Sequence, residues 1–362
     1  MKQWIAWEEH VKLLGRTYIQ DEKLWLSLSA TGIEFTFTGK SLAFTVQGST
    51  ASTIKDNAQN YARYAIYRDD VRILDEVLDQ KEKKHVILDQ ETPITCTIRL
   101  LKLSECAMST LALCPIETDE EAVLAPTPAK KRKLEIIGDS ITCGYGVDDE
   151  DFTHPFSTAT EDVTKSYSYK TVSALDADYS IFSISGYGII SGYTDNPSIQ
   201  VKEQQLPKFY PYYGFSNDTF GDSVKPAELA WDFKRFQPDA IVINLGTNDD
   251  SFCQDTLEKQ LDYKHHYVQF LKEVRCKNPN ATIFCILGLM GDRLYPTVVN
   301  TVEEYKKETG DTKLYALHIP PQIESDGLVS DYHPTSRSHD KAAAVLVPFI
   351  RVMMSWNDTE NI

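Results

Sequence analysis

The chain has 362 residues, enough for two domains with separate cores, and its 53 Asp and Glu against 37 Lys and Arg give a formal net charge of −16. That balance argues against a nucleic-acid partner, because gripping a phosphate backbone takes clustered Lys and Arg; the one dense basic run, Lys130-Lys131-Arg132-Lys133, reads as a solvated linker end. No apolar stretch reaches membrane-spanning length, so no membrane partner is expected either.

Taken in order, Met1 to His10 lacks the apolar segment of a signal peptide and carries acidic residues early, so a cytoplasmic location is expected. Residues 11 to about 115 read as short strands separated by turn signals. Gly32 to Gly39 alternates apolar and polar with period two, and Leu42 to Val46 does so again after Gly39-Lys40-Ser41. Tyr64 to Tyr67 and Val71 to Leu74 flank a hairpin-sized gap, and His85 to Leu88, Ile94 to Leu100 and Leu111 to Leu113 complete the set. Many short strands at this spacing predict an antiparallel β-sandwich or jelly roll. Nothing in these strands separates a sugar-binding module from a packing module.

From Glu117 to Pro128 the composition shifts to acid, Ala and Pro, and the stiff Ala125-Pro126-Thr127-Pro128 marks a boundary. The division is a sandwich domain over 1–125 and a second domain over 126–362. Five apolar runs follow, Leu134 to Ile137, Tyr179 to Ile184, Ala240 to Leu245, Thr282 to Leu287 and Lys313 to Leu317, with helical stretches at Leu257 to Arg275, Thr301 to Thr309 and Ser338 to Met354. Alternation of this kind predicts an α/β domain, a five-stranded parallel sheet covered by helices on both faces. Tyr187 to Lys234 is long for a crossover and is expected to lie as an ordered loop over a site.

The first of these strands stops at Gly138-Asp139-Ser140, delivering a hydroxyl to the carboxyl end of the sheet, where ligands gather in such folds. Gly221-Asp222-Ser223 repeats the tripeptide, but no strand precedes it, and it reads as a turn. Three more blocks fall at strand ends: Ser185-Gly186-Tyr187-Gly188, Gly246-Thr247-Asn248-Asp249 and Asp331-Tyr332-His333-Pro334. A serine nucleophile needs a base to take its proton and donors aimed at the oxyanion, and the four blocks contain residue types suited to both tasks. Singly, each block has a plainer reading: Asn and Asp suit turns and caps, glycines suit loops, and most histidines are surface or packing residues. Cys143 and His339 read as core residues, and the adjacent His265 and His266 point in different directions and cannot share a metal. Seven cysteines without a close-spaced pair read as buried thiols. The chain has neither a Gly-x-Ser-x-Gly elbow nor a nucleotide-binding glycine motif.

Four agreeing blocks resemble the SGNH (GDSL-like) hydrolase superfamily. The whole chain resembles carbohydrate esterase family 2, an N-terminal jelly roll followed by an SGNH domain. Leu14-Gly15-Arg16-Thr17, Gly32-Ile33-Glu34-Phe35, Leu206-Pro207 with Tyr210, and Trp231-Asp232-Phe233 carry that likeness alongside the four blocks. The resemblance implies a cofactor-free serine esterase that removes O-acetyl groups from xylan or glucomannan, or from oligosaccharides derived from them. It makes Ser140 and His333 catalytic and Ser140, Gly186 and Asn248 the oxyanion hole. The usual pattern places an Asp three residues before the His. Here Asp331 stands two before, and it is favoured as the His333 orienter over a backbone carbonyl. Tyr332, where the family often has Trp, and Tyr210 are expected to bind sugar, and Tyr187, Tyr193, Tyr212 and Tyr213 in the same loop favour a carbohydrate over a lipid substrate. The rival readings are an SGNH esterase of lipid or small-molecule esters and an inactive carbohydrate-binding protein.

Overall fold

The computed structural model describes residues 1–54 and 57–356, and the chain divides into two compact units. The first comprises Met1–Ala129, Phe156–Val163 and Pro211–Trp231; the second comprises the remainder from Lys130 onward. A single cut at 125/126 therefore does not describe the division, because the chain returns twice to the first unit. Those returns are irregular segments that carry no strand periodicity, so the sequence gives no sign of them.

The first unit is an antiparallel sandwich built on two long strands, Gly32–Gly48 and Glu82–Lys102, which pair from Gly32 with Leu101 to Gln47 with Glu82. The turn expected at Gly39-Lys40-Ser41 is instead an irregularity inside one continuous strand. The register shifts there, and the Asp119 carboxylate accepts the N–H groups of Lys40 at 2.7 Å and Ser41 at 3.0 Å. One half of this strand pairs with Lys12–Leu14 and Val123–Pro126, the other with Leu111–Leu113 and Ile116–Thr118. Its alternate residues Ile33, Phe35, Phe37, Leu42, Phe44 and Val46 form the core. The gap between Arg63–Arg68 and Val71–Val77 is a hairpin turn in which Asp69 and Asp70 both take positive φ. The two returning segments are anchored by several contacts each, polar and aromatic. Asp162 pairs with Arg72 at 2.8 Å, buried Glu161 accepts the Glu105 N–H at 2.7 Å, and Phe220 stacks on Tyr18 at 5.4 Å. Gly221 to Ser223 form the turn between Phe220 and Val224.

The second unit is a parallel sheet with helices packed on it. Numbered within this unit, its strands are β1 (Arg132–Gly138), β2 (Ala177–Ser183), β3 (Ala240–Asn244), β4 (Thr282–Leu289) and β5 (Leu314–Pro321). The helices are α1 (Ser140–Cys143), α2 (Tyr167–Ala174), α3 (Thr247–Cys253), α4 (Leu257–Lys277), α5 (Tyr295–Thr309) and α6 (Ser336–Met354). The strand order is β2-β1-β3-β4-β5. Every residue of β3 is buried, as a strand covered on both faces requires; α2 packs with α6, and α4 with α5. Gly138 at the end of β1 lies beside Ser183 of β2 and Asn244 of β3. The loops leaving β1, β2 and β3 thus emerge side by side where the strand order reverses, the position at which such sheets bind ligands.

Candidate active site

Asp139 turns the chain from β1 into α1: it is fully buried, and its carboxylate accepts the Ile141 N–H at 3.1 Å. Ser140 is the first residue of this one-turn helix, and its Oγ lies 2.8 Å from Nε2 of His333. His333 follows a tight turn, Ser330–Tyr332, and precedes α6. Asp331 and Tyr332 both have positive φ, 52° and 63°, and this curl brings the Ser330 and Asp331 carbonyl oxygens to 3.1 and 3.2 Å from Nδ1. Nδ1–H donates to these carbonyls, which leaves Nε2 unprotonated and facing the Ser140 hydroxyl as an acceptor. Burial pushes the imidazole down to about 4, with the two carbonyls opposing it, so the ring stands neutral at ordinary pH.

The preference for Asp331 as orienter is therefore corrected. Its backbone carbonyl reaches the ring, while its carboxylate faces elsewhere and accepts the Tyr145 hydroxyl at 2.7 Å. A two-residue offset curled through two left-handed residues presents main chain to Nδ1 rather than side chain.

Asn248, in the first turn of α3, is buried; its Nδ2 donates to the Tyr187 carbonyl at 2.9 Å and approaches Asp139 Oδ2 at 3.3 Å. Its neighbour Asp249 is fully buried and accepts three consecutive N–H groups, those of Ile189, Ile190 and Ser191, at 2.9, 2.7 and 3.1 Å. The loop after β2 is thereby tied to the start of α3. Burial raises both acids, Asp139 to about 7 and Asp249 to about 6. Gly186 in the same loop has φ of +80°, and a Cβ there would meet nothing nearer than 3.9 Å, so the backbone conformation and not space makes glycine fit.

Tyr332 is 59% exposed and its ring lies 5.0 Å from that of Phe152, itself exposed on the loop after α1. Tyr210 is not at the site. It is fully buried, its hydroxyl donating to Glu135 at 2.7 Å and accepting from Asn278 at 2.9 Å, with Phe182, Phe233 and Phe270 around its ring. Of the other loop tyrosines, Tyr193 is exposed and Tyr187 is buried, while Tyr212 and Tyr213 belong to the first unit. The loop tyrosines therefore give little support to a sugar-lined cover, since a buried aromatic and an exposed one look alike in sequence. Cys143 is buried with its Sγ 3.2 Å from Ser183 Oγ, and His339 is buried with Nδ1 accepting the Tyr167 N–H. Among the described residues no group of His, Cys, Asp and Glu is arranged to hold a metal ion. Tyr145 and Asp249 escaped the sequence reading. Asp249 sat inside the Gly246-Thr247-Asn248-Asp249 block and could have been found there; nothing marked Tyr145.

A buried serine–histidine pair at the carboxyl edge of a 2-1-3-4-5 sheet defines a class of hydrolase fold. Residues 136–341 match the GDSL-like Lipase/Acylhydrolase family, and the chain belongs to that family. Residues 13–128 match the carbohydrate esterase 2 N-terminal family, and the two matches in this order make the chain a family 2 carbohydrate esterase by architecture. It is 30% identical over 263 residues to a cellulase/esterase of Acetivibrio thermocellus, covering 71% of this chain but only 30% of that much longer protein. It is 25% identical over 359 residues to an acetylxylan esterase/glucomannan deacetylase of Cellvibrio japonicus, covering 97% of this chain and 91% of the relative. The fold matches that of an acetyl xylan esterase from the rumen bacterium Butyrivibrio proteoclasticus with a TM-score of 0.84 at 24% identity, over 99% of both chains.

Proposed function

We propose that this protein is a serine O-acetylesterase acting on acetylated xylan or glucomannan, or on oligosaccharides derived from them. The observation that carries the reading is the 2.8 Å approach of Ser140 Oγ to His333 Nε2, with Nδ1 committed to two carbonyls. His333 takes the hydroxyl proton as Oγ attacks the acetyl carbonyl. The resulting oxyanion sits against the N–H groups of Ser140 and Gly186 and the Asn248 amide, whose 3.3 Å contact with Asp139 is long and leaves one N–H weakly engaged. The imidazolium returns its proton to the sugar oxygen as the C–O bond breaks, leaving acetyl-Ser140. Water, deprotonated by the same imidazole, then releases acetate and restores the serine.

The carbohydrate assignment is supported by the family match over both domains and by relatives named for acetylxylan and glucomannan deacetylation. Exposed Tyr332 and Phe152, one residue from His333 and on the neighbouring loop, offer flat aromatic faces of the kind on which sugar rings stack. Acetate release from acetylated xylan and mannan oligosaccharides tests the reading, with long-chain 4-nitrophenyl esters as the competing substrates. Ser140→Ala is expected to abolish release while Ser223→Ala and Cys143→Ala retain it. Activity in Ser140→Ala, or a preference for the long-chain esters, overturns it.

A further inference from the structure

We propose that Tyr145 is a positioning residue that fixes His333 against Ser140, an inference that rests on the proposed roles of those two residues. Its ring lies face-on to the imidazole, centroids 4.1 Å apart and planes 24° from parallel. Its hydroxyl donates to the Asp331 carboxylate at 2.7 Å. Its own N–H donates to the Ser140 carbonyl at 3.2 Å, extending the turn that carries the nucleophile. One side chain and its peptide thus touch the serine's helix, the flat face of the base, and the residue whose carbonyl orients that base.

The segment around it tightens the same grip. Gly146 has φ of +60°, and a Cβ there would lie 2.7 Å from the Ser330 Cβ, so this backbone presses directly on the other residue whose carbonyl receives Nδ1–H. Three residues further on, Asp149 accepts the Ser330 hydroxyl at 3.3 Å. In a carboxylate-oriented histidine the acid both aims and holds the ring. Here the carbonyls aim it along its edge, and Tyr145 restrains tilt out of that plane. The stack also favours the charged ring that forms as Ser140 gives up its proton, because an electron-rich aromatic face attracts a cation.

The consequence is kinetic and specific. Tyr145→Leu removes both stack and hydroxyl and is expected to lower kcat for 4-nitrophenyl acetate by roughly 10- to 100-fold, the scale at which small misplacement of a catalytic group is felt, with KM little changed. Tyr145→Phe keeps the stack and is expected to lose about 2- to 10-fold, the worth of one hydrogen bond, so the conservative variant restores most of the activity. The downfield proton resonance of His333 Nδ1–H reports the geometry without turnover: it is expected in wild type and in Tyr145→Phe, and broadened or shifted in Tyr145→Leu. A raised KM at unchanged kcat in Tyr145→Leu makes the ring a substrate wall and overturns the proposal, as does an unaltered resonance. If Tyr145→Leu fails to fold, Tyr145→Phe decides alone, and wild-type kcat in that variant overturns the proposal. Ser140→Ala is measured alongside: activity there means the underlying assignment has failed, whereas an inactive Ser140→Ala with indifferent Tyr145 variants means that only this inference has.

Discussion

Two carbonyl dipoles offset the charge of a forming imidazolium less than an ionised acid does, so in the proposed mechanism His333 operates with part of the usual stabilisation absent. Asp331→Asn is therefore expected to lower kcat by about tenfold or less, because an amide oxygen still accepts the Tyr145 hydroxyl and the carbonyls are untouched. A loss on the order of 10⁴, the scale seen when a triad acid is replaced, would put the carboxylate back on the ring. Burial also sets the pH response. A base whose pKa is held down to about 4 from the ordinary 6.5 is neutral over the whole range above that value, and activity disappears only as pH falls through it. The acid limb of kcat/KM is expected near pH 4; a limb centred at about pH 6.5, where an unperturbed histidine titrates, would contradict the buried geometry.

The elements that hold these residues differ in how openly they declare themselves. All five parallel strands are legible as apolar runs; Ala240 to Leu245 is the clearest, because a strand covered on both faces cannot alternate, while the edge strand β5 is only partly buried. Helix α5 starts at Tyr295, six residues before the expected Thr301, since Pro296 and the β-branched Thr297, Val298 and Val299 mask a helix whose first turn has Pro where it is tolerated. Ser140, Gly186, Asn248 and His333 are legible because each sits in a short block beside a strand end or helix start. The grip of Tyr145 on Asp331 spans 186 residues and leaves no local trace. Asp249 does its work between elements. With Asp249→Ala, three buried N–H groups lose their acceptor, at about 1–3 kcal/mol each, and the loop after β2 is left with its ties to Asn248 and Ser251 on α3. Amide exchange at Ile189, Ile190 and Ser191 is expected to accelerate and the melting temperature to fall; exchange as slow as in wild type would show that the loop is held by something else.

Across the whole molecule, neither unit is encoded by one uninterrupted stretch. The sandwich takes Glu161 and Asp162 from one later segment and Phe220 and Trp231 from another, and without them the Arg72 guanidinium and the Tyr18 ring lose partners that lie within this unit. A fragment of residues 1–129 is expected to lack a cooperative thermal transition, whereas the full chain shows one; a sharp melt for the fragment alone would show that the returning segments are dispensable. The same threading has a meaning during synthesis. A ribosome adding ~5–20 residues per second delivers Trp231 roughly 5–20 s after Ala129, and for that interval the emerging sandwich has its strands in hand but not its closing pieces. Translation speed between those two points thus becomes part of how this protein acquires its shape.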